Sequence, residues 1–357
     1  MKTKLKMRSV LTVLFTCAVV AIFWNQGSAE DNFPLKEWPR GVICGGGSPG
    51  SAYYNSMVAV SELAQRYLKV KATAIATAPG SAAGIQGINR KELDFAPLLD
   101  QTVLWAMKSI GPFKGKPAVK TVRAVAASHL LLYGLVTTAD SGIKSMEDLR
   151  GTGYTISIHP AGSTTLRLFA DAVMEFYNLG PKDVKAVPHT GVDEVTSGLK
   201  EKRFKVVADA LYASVTMPWA LELDRDLQMR MIPLSPECIK YVTKKVEGSV
   251  GGDVPAGLYS GVNEAIPTVG IAAGVFCRVD LPDSLIYELT KLIFNDPTRE
   301  LWLSYGAHHK EYTVDKINDF FTPVHAGAVK YYKEVGAWTD AHEQRQKEML
   351  KMLGMNQ

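Results

Sequence analysis

Short apolar segments alternate with amphipathic ones from residue 41 onward. Alternating apolar positions predict strands, and apolar positions three or four residues apart predict helices. In chain order the predicted elements are strand 41–44, helix 51–68, strand 70–77, helix 82–89, strand 93–99 and helix 102–109. A strand followed by a helix three times in succession is typical of parallel α/β architecture.

The same pattern continues after residue 120, with a second unit starting near residue 140. The predicted elements are strands 122–127 and 130–138, a short helix ending at Gly151, strand 154–158, helix 165–177, strand 206–212, helix 219–223, strand 269–279, helix 282–294 and a polar helix from residue 340. Neither an internal repeat nor a low-complexity tract interrupts this order.

Three of the predicted strands end in a turn rich in Gly, Ser or Pro that opens a helix. These turns lie at 45–51, 78–81 and 159–165. Each offers free backbone N–H groups and hydroxyls at a helix N-terminus, where a negative group gains roughly 0.3–1 kcal/mol. The alternative is that Gly and Ser only cap these helices. Three such turns in one chain favour a cleft between two units that binds a small carboxylate.

Composition and charge narrow the class of protein. The chain has 357 residues, 46% apolar and 21% charged, which excludes a disordered chain, a fibrous repeat and a multi-span membrane protein. The net charge of +4 equals the contribution of Lys2, Lys4, Lys6 and Arg8, since no acidic residue precedes Glu30. The remainder is neutral, so neither nucleic acid nor an anionic membrane is expected as a partner.

The first 29 residues have the features of a signal peptide. A basic start precedes an apolar run at 10–24, and small residues stand at Gly27 and Ala29. The run has 15 residues, fewer than the roughly 20 that cross a bilayer as a helix. An uncleaved anchor is therefore the less favoured alternative, and we expect a soluble product outside the cytoplasm.

Residues with catalytic or metal-binding potential lack the spacing that such chemistry needs. Cys44, Cys238 and Cys277 form no CxxC pair and are expected to be buried free thiols, and His308-His309 has no cysteine nearby to complete a zinc site. The glycines at 45–50 match a dinucleotide fingerprint, but no acid follows the second strand. The histidines His129, His159, His189 and His325 have no serine or cysteine at nucleophile spacing. We expect no cofactor, no metal and no enzymatic activity.

The turns and several other segments together resemble one family of transport proteins. The segments are GGGSPGSAYY at 45–54, APGS at 78–81, GPFKG at 111–115, ADSGIKSMEDLRG at 139–151, HPAGS at 159–163, VPAG at 254–257, IPTV at 266–269 and HAGAVKYY at 325–332. In order and spacing they resemble the TAXI family of solute-binding receptors of tripartite ATP-independent periplasmic (TRAP) transporters. The resemblance extends from about residue 41 to about residue 336.

This resemblance implies an α/β fold of the two-lobe type II periplasmic-binding-protein class, with a ligand cleft between the lobes. Lobe 1 would comprise 38–139 and 264–339, lobe 2 would comprise 140–263, and the polar helix would occupy 340–357. Such a receptor captures a small organic anion or amino acid in the periplasm and delivers it to the TRAP-type membrane permease. We expect a monomer.

The candidate ligand-binding residues lie at the turns and strand ends that would face the cleft. They are Gly47, Ser48, Ser51, Tyr53, Tyr54, Thr77, Gly80, Ser81, Asp100, His159, Gly162, Ser163, Thr164, Tyr212 and Ser214. Asp100 has a second interpretation, as the N-cap of helix 102–109, which we favour over ligand contact.

The chain also departs from the family pattern. Leu99-Asp100-Gln101 replaces the usual Gln-Ser-Asp, Gly84 stands where Asn is frequent, and residues 200–205 replace a short Gly-containing turn. The family's dicarboxylate-type ligands therefore do not transfer directly. The alternative functions are an exported enzyme or a sensor module on the same two-lobe fold.

We predict that signal peptidase cleaves after Ala29, because the short apolar run and the small residues Gly27 and Ala29 match its recognition pattern. N-terminal sequencing of the protein recovered from the periplasm should begin at Glu30. A product that begins before residue 20 and sediments with membranes would contradict the prediction.

Overall fold

The structure is a computed structural model that describes residues 33–47, 49–78, 80–161, 163–213 and 215–355, with His129 described by its backbone alone. The chain divides into two units, Met1–Lys36 and Glu37–Gln357. The proposed signal peptide at 1–29 lies outside the described residues. All elements below belong to the second unit.

The first six elements form a parallel α/β layer, as the sequence predicts. They are β1 (Gly41–Gly45), α1 (Ala52–Leu68), β2 (Lys71–Ile75), α2 (Ser81–Asn89), β3 (Phe95–Leu99) and α3 (Asp100–Lys108). Strand β1 pairs in parallel with β2 on one side and β3 on the other. The predicted inner face of α1 is confirmed, since Met57, Val60, Ala64 and Leu68 are buried. The carboxyl ends of the three strands therefore meet at one edge, beside the N-termini of the three helices.

Two long antiparallel strands run through the middle of the main sheet. These are β4 (Val122–Thr138) and β10 (Ile266–Arg278). The prediction of two separate strands at 122–127 and 130–138 is wrong. The polar Ser128, which lies between the two predicted strands, donates its hydroxyl to the Ala273 carbonyl of β10 at 2.9 Å, so the strand continues past it.

The remaining described strands and helices complete the fold. They are β5 (Tyr154–Ile156), α4 (Thr164–Phe176), β6 (Val184–Ala186), α5 (Val192–Lys200), β7 (Val207–Tyr212), α6 (Pro218–Leu227), β8 (Met229–Met231), α7 (Pro236–Lys245), β9 (Val250–Val254), α8 (Asp283–Phe294), α9 (Asp296–Ser304), α10 (Ala326–Glu334) and α11 (Asp340–Met352). Strands β5 and β6 pair in parallel in a second, two-stranded sheet. The polar helix predicted from residue 340 corresponds to α11.

Different strands flank the two ends of β4 and β10. Within the described residues the main sheet has the order β2-β1-β3-β10-β4-β7, with β8 also on β4 and β9 also on β10. Strand β3 flanks β10 at 273–277, whereas β9 flanks it at 266–270. Strands β7 and β8 flank only the second part of β4, at 131–138. The fold is thus a two-lobed α/β structure in which both lobes share β4 and β10.

An apolar core lies beside the second part of β4. Val136 of β4, Val207 and Leu211 of β7, and Trp219 and Leu223 of α6 belong to this one buried cluster. The three described cysteines, Cys44, Cys238 and Cys277, are buried free thiols, which confirms the expectation from their spacing.

A buried carboxylate joins α3 to the distant C-terminal part of the chain. Asp100 accepts hydrogen bonds from the backbone N–H of Phe321 at 2.7 Å and of Thr322 at 3.2 Å, and a short one from the Thr322 hydroxyl. Burial raises the pKa of Asp100 to about 6, against the lowering effect of these bonds. The carboxylate thus fixes the segment after β10 against the start of α3.

We predict that Asp100→Ala lowers the free energy of unfolding by about 3 kcal/mol or more, because three buried donors lose their acceptor. Urea unfolding at pH 7 measures this. The control Glu92→Ala removes an exposed surface ion pair with Arg90 and should leave stability nearly unchanged. Equal effects of the two variants would contradict the structural role of Asp100.

Candidate functional site

The first two Gly-containing turns are joined to each other by backbone hydrogen bonds. Gly46 N donates to the Ile75 carbonyl at 3.1 Å, and Thr77 N donates to the Gly47 carbonyl at 3.0 Å. The Thr77 hydroxyl accepts from Gly47 N at 2.9 Å. Gly47 has a φ of 55°, which favours glycine. Two predicted site residues, Gly47 and Thr77, therefore lie side by side at the carboxyl ends of β1 and β2.

The serines that follow these two turns both accept a hydrogen bond from a backbone N–H group of the protein. Ser51 is the N-cap of α1, and its hydroxyl oxygen accepts from Tyr54 N at 3.1 Å. Ser81, the first residue of α2 after Gly80, instead accepts from Leu99 N at 2.9 Å and so joins α2 to the end of β3. The capping alternative is correct for Ser51. Because a hydroxyl can accept and donate at once, each serine can still donate its proton.

Tyr53 and Tyr212 lie close enough for their side chains to interact electrostatically. Tyr53 lies on α1 and Tyr212 ends β7, and both are half-buried. Burial raises the pKa of Tyr53 well above its ordinary value, and Tyr212 and Tyr312 raise it further. These two predicted site residues thus lie in the same region of the fold, although they are 159 positions apart in the sequence. Tyr54, beside Tyr53, is half-buried and bonds Ser51 through its backbone.

The third turn lies in the second lobe and borders a cavity of its own. Ser163 is the N-cap of α4, and its hydroxyl oxygen accepts from Leu166 N at 3.4 Å. The cavity has a volume of about 310 Å³ and is lined by His159, Pro160, Ala161, Ser163, Thr164, Arg167 and Pro188. Arg167, one turn into α4, is exposed and lies 3.5 Å from Asp171. The cavity thus combines a helix N-terminus, two hydroxyls and a guanidinium group, all of which favour an anion.

Sequence reasoning missed Arg167. The turn pattern stops at the helix start, and the signal that could have revealed this residue is its position on the first exposed turn of α4. Ser48, Gly162 and Ser214, which were also predicted as site residues, lie outside the described residues.

Asp100 is placed differently from both interpretations of the sequence. It is fully buried, and Leu99 rather than Asp100 occupies the N-cap position of α3. The N-cap interpretation is therefore wrong. Its carboxylate oxygens are taken by Phe321 and Thr322, because the structure folds the C-terminal segment over this helix.

A second feature missed by sequence reasoning is a buried polar cluster beside Tyr53. Ser56 Oγ lies 3.2 Å from His308 Nε2 and 2.9 Å from His309 Nε2. His309 Nδ1 lies 2.6 Å from the Trp302 carbonyl and donates to it. The Ser56 hydroxyl also lies within hydrogen-bond distance of the Ala52 carbonyl, at 3.0 Å. The ring of His308 stacks with that of Tyr212, with centroids 6.4 Å apart. A pair of adjacent histidines suggests metal ligands, and their sequence carries no sign of the distant Ser56.

Among the described residues, no group of three or more His, Cys, Asp or Glu side chains is arranged to hold a metal ion. Over the same part of the chain, no helix has the length and apolar character needed to cross a membrane. The arrangement offers hydrogen-bond donors and helix N-termini rather than metal ligands.

Comparisons with known proteins identify a family and several similar structures. Residues 44–336 match the NMT1-like family. The structure is similar to that of XAC2383 from Xanthomonas citri bound to chloride ion, with a TM-score of 0.47 and 10% identity over 88% of this chain and 98% of the other. It is similar to PhnD1 from Prochlorococcus marinus (MIT 9301) in complex with methylphosphonate, with a TM-score of 0.45 and 13% identity over 84% and 100%. A glycine betaine/L-proline-binding protein, ProX from Borrelia burgdorferi, gives a TM-score of 0.41 and 13% identity over 86% and 99%.

We predict that His309 makes stability pH-dependent. Burial lowers the pKa of His309 to about 3, and the charges of His308 and Arg299 add to the lowering. An unfolded histidine has a pKa of about 6.5. Between these values the unfolded state binds a proton that the folded state does not, so stability is complete above pH 6.5 and falls as the pH falls.

Urea unfolding of the wild type and His309→Gln at pH 7, 6 and 5 tests this. Below pH 6.5 the stability difference between the two proteins should narrow by up to about 1.4 kcal/mol per pH unit. His325 and His342, whose pKa burial also lowers, have no contact with His309 among those described, so their titration is the same in both proteins and cancels. Parallel stability curves for the two proteins would contradict the prediction.

Proposed function

Since the chain belongs to the NMT1-like family, we propose that it is the solute-binding component of a membrane transporter. It captures a small organic anion or amino acid between its two lobes and delivers it to a permease. The observation that carries this proposal is the set of helix N-termini at the candidate site. Two open at the shared edge of β1 and β2 in the first lobe, and one opens on the cavity of the second lobe.

The distribution of charge supports a carboxylate as the recognised group. Apart from four basic residues before position 9, the acidic and basic residues of the chain balance, so the site gains nothing from the net charge. Attraction for an anion comes instead from hydrogen-bond donors at the candidate site itself. Each helix N-terminus contributes roughly 0.3–1 kcal/mol, and hydrogen bonds to a charged group contribute about 1.5–3 kcal/mol. A neutral ligand would leave both contributions unused.

The lobe boundaries of this proposal are 38–139 and 264–339 for the first lobe and 140–263 for the second. Strands β4 and β10 connect the lobes and would bend when a ligand binds. Tyr53 from the first lobe and Tyr212 from the second would then close over the ligand, supported by the polar cluster around Ser56 and His308. The candidate residues of all three turns would contact the ligand from both sides.

The partner is proposed to be a TRAP-type permease, on the strength of the segments that resemble the TAXI family. Signal-peptide cleavage after Ala29 would release the mature protein into the periplasm, where such a permease is accessible. The alternative of an exported enzyme or sensor would have the same fold, and ligand transport by cells that express the protein with its permease distinguishes it.

We predict that the ligand is an acid and that Ser163 donates a hydrogen bond to it. A thermal-shift screen of organic acids and amino acids, each beside its matched amide, should raise the melting temperature only with acids. Calorimetry on the best acid should show Ser163→Ala weakening its binding by about tenfold to a hundredfold. Without ligand, the same variant should lose about 1 kcal/mol of stability, because α4 loses its N-cap.

Ser163→Thr is the matched control, because threonine keeps the hydroxyl and the cap. This variant should bind the same acid with an affinity within a few-fold of that of the wild type. Ser81→Ala should also weaken binding, since Ser81 follows the second turn, although its hydroxyl accepts from Leu99 N and does not cap α2. Equal affinity for an acid and its amide would contradict the carboxylate assignment. Lower stability with unchanged affinity would leave both serines with structural roles only.

A further inference from the structure

A second cavity lies between α10, α11 and the start of β4. Its volume is about 570 Å³, which is within the range of small-molecule sites. Its walls come from Arg123 on β4, from Val279 just after β10, from Asp283 on α8, and from residues within 324–333 and 343–350. None of the residues of the candidate site lines it. The cavity is therefore a separate place in the fold with the size of a ligand site.

Arg123, in the wall of this cavity, is a buried cation without a carboxylate beside it. The residue is only 3% exposed. Burial lowers the pKa of Arg123 to about 10, so the guanidinium still carries its charge at pH 7. Among the described residues, no Asp or Glu side chain forms an ion pair with it. A buried charge without a counterion is unfavourable, and an anion in the cavity would remove that cost.

The hydrogen bonds of Arg123 leave part of its guanidinium group available. Nη1 donates to the carbonyls of Lys120 at 3.0 Å and of Val122 at 2.7 Å. Nη2 lies 3.0 Å from the sulfur of Met355, which is a weak acceptor. These contacts with the described residues use three of the five guanidinium N–H groups. The side chain is thus fixed in position and keeps two donors for a ligand.

The other charged side chains of the cavity limit the charge of that ligand. Lys330 and Lys333 add two cations, and Asp283 and Glu343 add two carboxylates. Glu343 is already paired with Lys333 Nζ at 2.9 Å, and the Asp283 side chain is 69% exposed. Lys330 forms no ion pair with any described residue, so it can face an anion together with Arg123. Because two carboxylates are present, a single negative charge fits better than two.

The rest of the cavity wall is largely apolar. Val279, Val324, Val329 and Leu350 contribute hydrocarbon surface. Gln346 of α11 closes the wall, since its Oε1 accepts from Val324 N at 2.9 Å and its Nε2 donates to the Val324 carbonyl at 2.8 Å. An ion without hydrocarbon, such as phosphate, would leave these apolar side chains unused.

We propose that this cavity binds a monocarboxylate with an apolar chain. The carboxylate contacts Arg123, and the chain lies along Val279, Val324, Val329 and Leu350. This site goes beyond the proposed function, because it shares no residue with the site proposed for the transported solute. A bound acid touches both α10 and α11, so it joins the C-terminal helix to the body of the protein.

Octanoate is the probe for a test by nuclear magnetic resonance of the ¹⁵N-labelled protein. It should shift the backbone amide signals of Ala326 and Gln346, which line the cavity, and titration of these signals should give a Kd of about 1 mM or lower. Octanamide lacks the charge, and acetate and inorganic phosphate lack the chain. Each of the three should bind about tenfold more weakly or worse. Equal binding of any of them, or no shift at Ala326 and Gln346, would overturn the proposal.

Arg123→Met is the decisive variant, because methionine keeps an unbranched side chain and removes the charge. Octanoate should bind to it about tenfold to a hundredfold more weakly. If Arg123→Met does not fold, the exposed Lys330 provides a second variant, Lys330→Gln, which should weaken binding by about two- to fivefold. Lys351→Gln is its matched control, since Lys351 is an exposed lysine of α11 that does not line the cavity.

Unchanged octanoate affinity in Arg123→Met, or the same loss in Lys330→Gln and Lys351→Gln, would overturn the proposal. The outcome is separate from that of the proposed function. Octanoate bound at the candidate site would shift the amide signals of Gly47 or Ala161 and would leave those of Ala326 and Gln346 in place. A failure at the second cavity would likewise leave the tests on Ser81 and Ser163 unaffected.

Discussion

The antiparallel pairing of β4 with β10 is the contact on which the rest of the structure depends. Both strands extend beyond the length of one lobe, and each is flanked by different strands at its two ends. The pairing requires close approach: a side chain at Gly274 would overlap the Ala126 carbonyl oxygen and contact Phe320. It also requires that Ser128, in the middle of β4, finds an acceptor, which the Ala273 carbonyl provides. If this pair shifted by one residue, both lobes would lose their inner faces.

The polar chemistry of the candidate site depends on local hydrogen-bond donors. The chain has little net charge to attract an anion, so the orientation of backbone N–H groups must provide the attraction. Two buried histidines lie within this arrangement. His309 contacts Ser56 beside Tyr53, and His189 contacts Ser157 and Asp209 next to the third turn.

Much of the first lobe could be predicted from the sequence, because its strands, turns and helices are consecutive. The inner face of α1 and the three Gly-containing turns follow from periodicity and turn chemistry alone. The error at residues 128 and 129 has a different origin. The acceptor of Ser128 lies on β10, 145 positions away, and no local pattern indicates it. The role of Asp100 could not be predicted for the same reason, because its hydrogen-bond donors lie 221 and 222 positions away. The neighbours of His189 and His309 were hidden for the same reason, since pairing across the fold creates them.

The three buried thiols would have a consequence for the protein in the oxidising compartment to which we propose it is exported. Thiol–disulfide exchange needs a thiolate, and burial raises the pKa of Cys44 to about 12 and that of Cys238 to about 11. At neutral pH almost no thiolate forms at either position, and solvent oxidants do not reach the sulfur atoms. Folding of such a chain does not wait for disulfide formation or isomerisation. Its durability outside the cytoplasm would then rest on packing alone, and any event that exposed these sulfurs would make the chain vulnerable to cross-linking with its neighbours.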